Sequence, residues 1–380
     1  MKIFVHSATE CFTDCLPHGE GLIFYEYLKA LISKDVSFRG YAEKVTLKEQ
    51  LERVDIREAP SDFFFRSFSK FRYNRYIDIE LKRLCKNGHS FDLVWRGNPM
   101  GTMCPIAPRT GKIPLVIGPL FKKWSAQNKP QKKLPIRPAH LSQKLAYSGW
   151  LQALKKARLV LVTSPNLGFS EAEQSIINEK SLEIPIIIDP PKELDANQKS
   201  NNTFSIAWIG ALEERKYPLM ALDAFKEAYA HCNRLRLIII GKGNLRARLE
   251  NEVATHNLTE VVDIRGRLDN RAVWDELSKS HVLLSTAHGE PYGRAILEGI
   301  AAGCIPIVHN SGGPAEFLTD GKDALLLNQH RASDYAAAIL RIVQSTQFAQ
   351  HLQLNGSRTI SAYSSQKVSQ RLYDAFSAII

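Results

Sequence analysis

The feature that most constrains the fold is a regular alternation of short apolar segments with longer segments of helical periodicity. In the second half of the chain, Phe204–Ile209 ends in Gly210, and Leu235–Ile240 ends in Gly241. Short apolar runs that alternate with helices are typical of parallel sheets covered on both faces. The pattern therefore predicts a doubly wound α/β unit. Its remaining predicted strands are Val261–Arg265, His281–Thr286 and Cys304–Val308.

The first half shows the same alternation, with a helical pattern at Leu22–Ile32 between its first two strands. A polar, proline-containing stretch from Asp189 to Thr203 has the composition of a linker. We therefore predict two α/β domains, 1–190 and 191–364, which face each other across a cleft, with ligands at the carboxyl ends of the strands. The predicted strands of the first domain are Lys2–His6, Val36–Tyr41, Phe91–Arg96, Ile113–Ile117, Leu159–Thr163 and Ile184–Ile188.

Length and composition agree with two ordinary globular domains. The chain has 380 residues, of which 44% are hydrophobic and 23% charged, so disorder and fibrous classes are excluded. No run approaches the roughly 18–20 apolar residues of a membrane-spanning helix, and Met1–Val5 is typical of a strand rather than a signal peptide. We expect a cytoplasmic protein. The six cysteines lack metal-site spacing, so no metal site is expected from them.

The positive charge is concentrated in the first half. The net charge is +11, and residues 1–190 contribute 29 Lys and Arg against 19 Asp and Glu. Between Leu93 and Ser170 there are 13 basic residues and no acidic ones. A stretch with charges of one sign indicates an anionic partner. A phospholipid surface, a pyrophosphate-linked substrate and nucleic acid all remain open at this point.

The most specific chemistry lies in Glu290–Gly303, where a predicted strand leads into a helix that starts near Gly293. The free amides of Gly293, Arg294 and Ala295 would carry the positive end of the helix dipole, which favours a phosphate. Glu290 lies before this helix and Glu298 lies inside it. Two carboxylates on either side of a phosphate site can accept hydrogen bonds from hydroxyls, as a sugar nucleotide requires.

This segment resembles the retaining glycosyltransferases of family 4, which have two Rossmann-like domains in the GT-B fold. Their donor domain carries Glu-x-Phe/Tyr-Gly followed by a second Glu and Ala-x-Gly, matched here by Glu290, Tyr292, Gly293, Glu298 and Ala301-x-Gly303. The resemblance implies that Glu290 contacts the donor sugar and that Glu298 holds the nucleotide ribose. It also implies that the C-terminal helix, 365–380, returns to the first domain, which would bind the acceptor.

A second resemblance covers Trp208–Lys216, in which relatives use a basic pair after a glycine turn to neutralise the diphosphate. It implies that Gly210 forms the turn and that Arg215 and Lys216 stabilise the leaving group, with Glu290 completing the catalytic set. Many relatives have arginine directly after the glycine, where this sequence has Ala211. Arg215 would then supply the second cation.

Three further positions match the family more loosely. Gly241 closes a strand, Arg267 follows the strand near which relatives bind the base, and Gly19 begins a glycine-containing loop that would touch the diphosphate. The family's histidine after the fourth strand of the first domain is replaced by Gly118-Pro119. No histidine role is therefore implied.

Residues 62–78 interleave aromatic and basic side chains. If the segment is helical, Phe64, Phe68 and Phe71 share a face, as in a helix that lies in a membrane interface. Packing of these aromatics into the domain core is the alternative. We expect the first domain to contact an anionic membrane surface, and we do not expect nucleic-acid binding, because no RNA-binding signature is present.

Together these features predict a retaining glycosyltransferase that moves a sugar from a nucleotide-sugar donor to a glycan or lipid-linked glycan in surface polysaccharide or lipopolysaccharide-type synthesis. No metal or other cofactor is expected, because cations take its place and no Asp-x-Asp motif accompanies the strands. Two alternatives remain open: an inactive GT-B partner subunit, which Ala211 and Gly118-Pro119 would fit, and a nucleotide-sugar epimerase of the same architecture.

Overall fold

The chain folds into two compact units, each built on a parallel sheet. The described residues between Met1 and Ile187, together with Ser365–Ile380, form the first unit, and Ile188–Ser364 form the second. The sequence placed the boundary three residues later, after residue 190. The computed structural model describes residues 1–7, 11–15, 19–60, 69–97, 107–121, 140–164, 167–191, 194, 199–200 and 202–380.

The first unit contains a seven-stranded parallel sheet with the order β5-β3-β1-β6-β7-β8-β9, and β2 pairs with β4 beside it. Its strands are β1 (Lys2–Ser7), β2 (Cys11–Thr13), β3 (Ser37–Ala42), β4 (Lys44–Thr46), β5 (Val54–Glu58), β6 (Leu93–Arg96), β7 (Leu115–Leu120), β8 (Leu159–Val162) and β9 (Ser181–Glu183). Its helices are α1 (Gly19–Ile32), α2 (Ser69–Lys86), α3 (His140–Lys156), α4 (Glu171–Asn178) and, after the second unit, α12 (Ser365–Ser377).

The second unit contains a six-stranded parallel sheet with the order β12-β11-β10-β13-β14-β15. Its strands are β10 (Phe204–Ile209), β11 (Leu235–Ile240), β12 (Val262–Gly266), β13 (Val282–Ser285), β14 (Ile305–His309) and β15 (Leu325–Leu327). Its helices are α5 (Pro218–Tyr229), α6 (Arg246–Thr255), α7 (Asn270–Lys279), α8 (Arg294–Ala301), α9 (Pro314–Phe317), α10 (Ala332–Gln344) and α11 (Thr346–Ile360).

The strand order of the second unit reverses between β10 and β13. The chain first adds β11 and β12 on one side of β10, and then places β13, β14 and β15 on the other. The loops after β10 and β13 therefore leave the sheet in opposite directions, and a crevice opens between them at the carboxyl edge. The fold thus predicts a ligand site at the residues that follow Ile209 and Ser285.

In the second unit, alternate residues of neighbouring strands form a buried apolar face of the sheet. In β10 and β11 the side chains of Ile206, Trp208, Leu237 and Ile239 are at most 2% exposed. Helices α5 and α10 pack together against this sheet. Pro218 opens α5, where its missing N–H is not needed for a helical hydrogen bond. The second unit is thus a doubly wound α/β domain, as the sequence predicted.

The strand predicted at Ile184–Ile188 is wrong. The edge strand β9 ends at Glu183, and Pro185 has no N–H with which to extend the ladder. The segment is apolar because Ile184, Ile186 and Ile187 are buried. The amide of Ile188 donates instead to the carbonyl of Tyr363 (2.9 Å). Strand β5, in contrast, was not predicted from the sequence.

The part of the aromatic-basic segment that the structure describes packs into the first unit. Tyr73 and Ile77 on α2 are buried, and Tyr76 lies edge-on against Tyr41. This agrees with the core-packing alternative for residues 71–78, whereas residues 61–68 lie outside the described residues. Among the described helices, none combines the length and apolar character that crossing a membrane requires.

The C-terminal helix α12 packs on α1 in the first unit. The ring of Phe376 lies edge-on to Trp95 at a centroid distance of 5.1 Å, and both side chains are buried. Through this contact, a residue near the end of the chain packs into the core of the first unit, whose other described residues lie before residue 188. The placement agrees with the expected return of residues 365–380.

Candidate functional site

The carboxyl ends of β10, β11 and β12 are joined by backbone hydrogen bonds between glycine-containing turns. The amide of Gly210 donates to Ile240 (3.0 Å), and the amide of Gly241 donates to Gly266 (2.7 Å). A Cβ on Gly241 would overlap the carbonyl oxygen of Gly210. Two of the predicted site residues, Gly210 and Gly241, therefore shape this edge through close backbone packing.

The two predicted cations lie in a single 3-10 turn, Glu214–Lys216, which precedes α5. The Lys216 ammonium forms an ion pair with the Glu290 carboxylate, and both side chains are mostly buried. Arg215 bonds instead to Glu213 (2.8 Å), and both of these side chains are more exposed. The structure therefore brings Lys216 and Glu290 together and gives Arg215 a different ion-pair partner.

The loop that carries Glu290 is held by the two glycines at the end of the β14 loop. The amide of Gly313 donates to the carbonyl of Glu290 (2.7 Å). Gly312 has φ +75°, and a Cβ there would overlap the Glu290 carbonyl oxygen. On the other side, the amide of Gly289 donates to the Ser311 hydroxyl (2.9 Å). The loop that follows β14 thus holds the backbone of Glu290 in place, and this fixes the position from which its side chain extends.

Helix α8 begins immediately after this loop. Gly293 is its N-cap and has φ +89°, a conformation that glycine adopts without strain. In the described part of the chain, the amides of Gly293, Arg294 and Ala295 have no hydrogen-bond acceptor. Three free donors at the positive end of a helix are suited to bind an anion. The sequence predicted both this helix start and these amides.

The side chain of Arg294, the first residue of α8, forms a second ion pair with Glu298, which lies one turn further along the helix. Arg294 Nε donates to Glu298 Oε1 (2.8 Å), and Glu298 is 7% exposed. The Nη1 atom of Arg294 is buried and has no hydrogen-bond partner within the described residues. A buried guanidinium N–H without an acceptor is unfavourable, so this group is suited to receive an anionic ligand atom.

The remaining predicted residues are less closely connected. Arg267 is exposed after β12, and no ion pair joins it to the other site residues among those described. Tyr292 is half-buried, and its ring lies 6.3 Å from that of Phe317. Gly19 is the first residue of α1 in the first unit, so it belongs to a different unit from the residues above.

A cluster of three histidines, which was not predicted from the sequence, lies beside the Glu290 loop. The rings of His288, His309 and His330 are 4.5 to 5.7 Å apart by centroid distance. Burial, together with the neighbouring His288 and His330, lowers the pKa of His309 to about 4. The sequence did contain a signal, because each histidine follows or ends one of three successive strands, β13, β14 and β15.

A buried threonine was also missed. Thr286 directly follows β13, and its hydroxyl bonds to Trp208 and to the carbonyls of Lys216 and Tyr217.

Within the described residues, no group of three or more His, Cys, Asp or Glu side chains is arranged to hold a metal ion.

The Lys216–Glu290 ion pair joins the turn after β10 to the loop that leads into α8. A mostly buried ammonium, three free helix amides and a buried guanidinium N–H are groups that can bind a polyphosphate. Two carboxylates, each held by one of these cations, can accept hydrogen bonds from hydroxyls. Fixed cations of this kind stabilise negative charge that develops when a phosphate group departs.

Comparison with known proteins is consistent with this arrangement. Residues 190–359 match the sequence model of the family described as glycosyl transferases group 1. The chain is 26% identical over 151 residues to a 2-deoxystreptamine N-acetyl-D-glucosaminyltransferase of Niallia circulans, which covers 40% of this chain and 39% of that protein. It is 28% identical over 157 residues to a lipopolysaccharide core biosynthesis glycosyltransferase of Rhizobium meliloti, covering 40% and 43%. Both alignments thus span less than half of the relative.

A solved structure shares the fold along the whole chain. The crystal structure of Anabaena HepE in complex with UDP and glucose aligns with a TM-score of 0.64 at 17% identity, covering 100% of both chains. At this identity the likeness concerns the fold alone. The two parallel α/β units correspond to the two Rossmann-like domains of the GT-B fold.

Proposed function

We propose that the chain is a member of the glycosyl transferases group 1 family, whose sequence model residues 190–359 match, and that it transfers a sugar from a nucleotide-sugar donor to a hydroxyl of an acceptor. The GT-B fold of the chain supports this proposal. The observation that carries this proposal is the Lys216–Glu290 ion pair next to the start of α8. It brings together a cation, which can bind a phosphate, and a carboxylate, which can accept a hydrogen bond from a sugar hydroxyl. The UDP in the HepE structure supports a nucleotide sugar as the donor class.

In the proposed reaction the donor diphosphate takes the place of the Glu290 carboxylate at Lys216. The diphosphate would bind the amides of Gly293, Arg294 and Ala295 and the ammonium of Lys216. Glu290, released from Lys216, would then accept a hydrogen bond from a sugar hydroxyl. The bond between the anomeric carbon and the diphosphate oxygen breaks, its electron pair leaves with the diphosphate, and Lys216 stabilises the added charge. The acceptor hydroxyl oxygen forms the new bond to the anomeric carbon, and its proton passes to the departing diphosphate.

Arg294 is the better supported second cation of this chain. The family resemblance assigned that role to Arg215, which would replace the arginine missing at Ala211. Arg215 is, however, paired with Glu213 on the surface, whereas Arg294 has a buried N–H without a partner among the described residues. We assign Arg294 Nη1 to a diphosphate oxygen and Glu298 to the ribose hydroxyls, one helical turn away.

The finer features of the activity are part of the same proposal. They comprise retention of the anomeric configuration, a glycan or lipid-linked glycan as acceptor, and a role in surface polysaccharide or lipopolysaccharide-type synthesis. The lipopolysaccharide relative supports the acceptor class. No metal is assigned a role, because Lys216, Arg294 and the α8 amides would neutralise the diphosphate. A cytoplasmic site of action with peripheral contact to an anionic membrane belongs to the proposal, supported by the basic first half of the chain.

The proposal is tested by measuring thermal stabilisation with UDP, GDP and ADP and with their sugar derivatives. We expect one base to stabilise the wild type and Lys216→Ala to lose this effect. Lys226→Ala is the matched control, because Lys226 is also an ion-paired lysine of the second unit and lies on α5. Release of nucleoside diphosphate that depends on an acceptor then identifies transfer. Tight binding without turnover would favour an inactive subunit, and a free epimerised sugar would favour an epimerase.

A further inference from the structure

The hydroxyl of Thr286 joins three separate parts of the second unit. It accepts a hydrogen bond from the indole N–H of Trp208 (3.0 Å) and donates to the carbonyl oxygens of Lys216 (3.0 Å) and Tyr217 (2.9 Å). Thr286 is fully buried and Trp208 is 2% exposed. Water therefore cannot replace this hydroxyl without rearrangement, and its removal would leave the buried indole N–H and two carbonyl oxygens without this partner.

The two elements joined by Thr286 carry the two members of the ion pair. Lys216 is one of the residues whose carbonyl the hydroxyl holds. Glu290 lies only four positions after Thr286 in the same loop. The hydroxyl thus connects the backbone origin of the ammonium to the loop that presents the carboxylate. Neither the ion pair nor the α8 amides supply this backbone connection.

The residue that ends the 3-10 turn Glu214–Lys216 has an unusual backbone conformation, which its surroundings must stabilise. Tyr217 has φ +51°, which bulky residues rarely adopt. Its ring lies 4.5 Å from that of His330 in an edge-on arrangement, and His330 Nε2 donates to the carbonyl oxygen of Thr286 (2.7 Å). Thr286 therefore supports the turn through its side chain directly and through its carbonyl by way of His330.

We propose that Thr286 is a positioning residue for Lys216: its hydroxyl fixes the 3-10 turn so that the ammonium is held beside Glu290 and ready for the donor diphosphate. Thr286 itself does not contact the donor. The inference rests on the proposed function for its chemical consequence, but the fixing of the turn can be measured without any ligand. A merely structural role would lower the stability of the unit without a specific effect at the turn.

The first test measures hydrogen exchange in the peptide that spans residues 213–217. In this turn the amide of Lys216 donates to Glu213 (3.0 Å), and that of Tyr217 donates to Glu214 (3.1 Å). We expect Thr286→Val to accelerate exchange of these amides by about tenfold or more through local opening. Thr286→Ser keeps the hydroxyl and should retain the wild-type rate. Unchanged exchange in Thr286→Val would overturn the proposal whatever the ligand results are.

The control is Ile339→Ala, which removes buried side-chain atoms from α10 in the same core. It should lower the melting temperature without accelerating exchange at 213–217 selectively. If Ile339→Ala opens this turn as much as Thr286→Val does, Thr286 acts only through the stability of the unit, and the proposal is wrong.

The second test connects the turn to ligand binding, with UDP, GDP and ADP as probes. For the nucleotide that binds the wild type, we expect Thr286→Val to weaken the affinity about tenfold, which corresponds to about 1.4 kcal/mol of binding free energy. The affinity of Thr286→Ser should stay within about twofold of the wild type. Equal affinity in wild type and Thr286→Val, together with lost affinity in Lys216→Ala, would refute the positioning role and leave the proposed function standing. Full retention of this binding in Lys216→Ala would refute the proposed function, while the exchange test still decides whether Thr286 fixes the turn.

Discussion

The ammonium of Lys216 and the carboxylate of Glu290 form an ion pair although 74 positions separate them in the sequence. The pair links the turn after β10 to the loop after β13, on either side of the point where the strand order reverses. In the free chain, each group thus neutralises the other. Under the proposal, a donor diphosphate that binds Lys216 displaces Glu290 and makes the carboxylate available for the sugar.

Glu290→Gln should separate donor binding from turnover. The amide no longer carries the charge that competes for Lys216, so nucleotide affinity should stay equal or increase. Turnover should fall by about 100-fold or more, because a charged group at the reacting sugar is lost. Calorimetric titration with the nucleotide and an initial-rate assay measure the two quantities. A variant that loses both affinity and turnover equally would contradict the exchange of partners at Lys216.

Arg294→Gln should destabilise the second unit by about 1–3 kcal/mol, because the buried Glu298 carboxylate loses its charged partner. The double variant Arg294→Gln, Glu298→Gln should recover part of this loss, and urea unfolding of the single and double variants measures the coupling between them. Both variants should bind the nucleotide more weakly. Unchanged nucleotide affinity would show that Arg294 does not bind the diphosphate and would favour Arg215 as the second cation.

Gly312→Ala should displace the Glu290 loop. The new Cβ would overlap the carbonyl oxygen of Glu290, in addition to the penalty of about 1 kcal/mol for a side chain at positive φ. Gly321→Ala is a matched control, because Gly321 has φ +69° and nothing lies within 4 Å of its Cβ position. The turnover of Gly312→Ala should be well below that of the control at equal folded fraction. Similar turnover in the two variants would show that the close approach does not fix Glu290.

The stability of the chain should decrease as the pH falls from about 6.5. Burial, assisted by the neighbouring His288 and His330, lowers the folded-state pKa of His309 to about 4. The unfolded state therefore binds more protons between pH 6.5 and pH 4, so stability is complete above this window and is lost as the pH decreases through it. Urea midpoints should fall less steeply in His309→Gln. The exposed His256 provides the control variant, His256→Gln.

Chelation with EDTA should leave the rate of sugar transfer unchanged. Under the proposal, Lys216, Arg294 and the α8 amides neutralise the departing diphosphate, which is the role that a divalent cation has in other transferases. The measurement compares initial rates with and without EDTA, and then after addition of Mg²⁺ or Mn²⁺. A rate that is abolished by EDTA and restored by one of these ions would contradict the assignment of cations to the leaving group.

The sequence was sufficient for the doubly wound fold and for the start of α8, because both depend on local signals. The apolar runs end in glycine at Gly210 and Gly241, and Gly293 marks a helix start. The wrong strand at Ile184–Ile188 arose from the same signal: the segment is apolar because it is buried, but Pro185 prevents ladder pairing. Apolar periodicity reports burial more directly than it reports pairing.

The pairing of the charged residues could not be predicted from the sequence. Whether Lys216 contacts Glu290 depends on how β10 and β13 are placed side by side, and whether Arg294 or Arg215 is buried depends on side-chain packing. The bond between Thr286 and Lys216 has the same origin. The histidine cluster was within reach, since its members follow three successive strands, but this requires the order of β13, β14 and β15.

Because α12 completes the first unit, the second unit is in topological terms an insertion into the first. Truncation of the chain after residue 364 would uncover the indole of Trp95 by removing Phe376. Among the described residues, the second unit consists of one uninterrupted stretch, 188–364. The other half cannot be obtained by simple truncation, and its isolation calls for a circular permutation or a short bridge that joins residue 187 to residue 365.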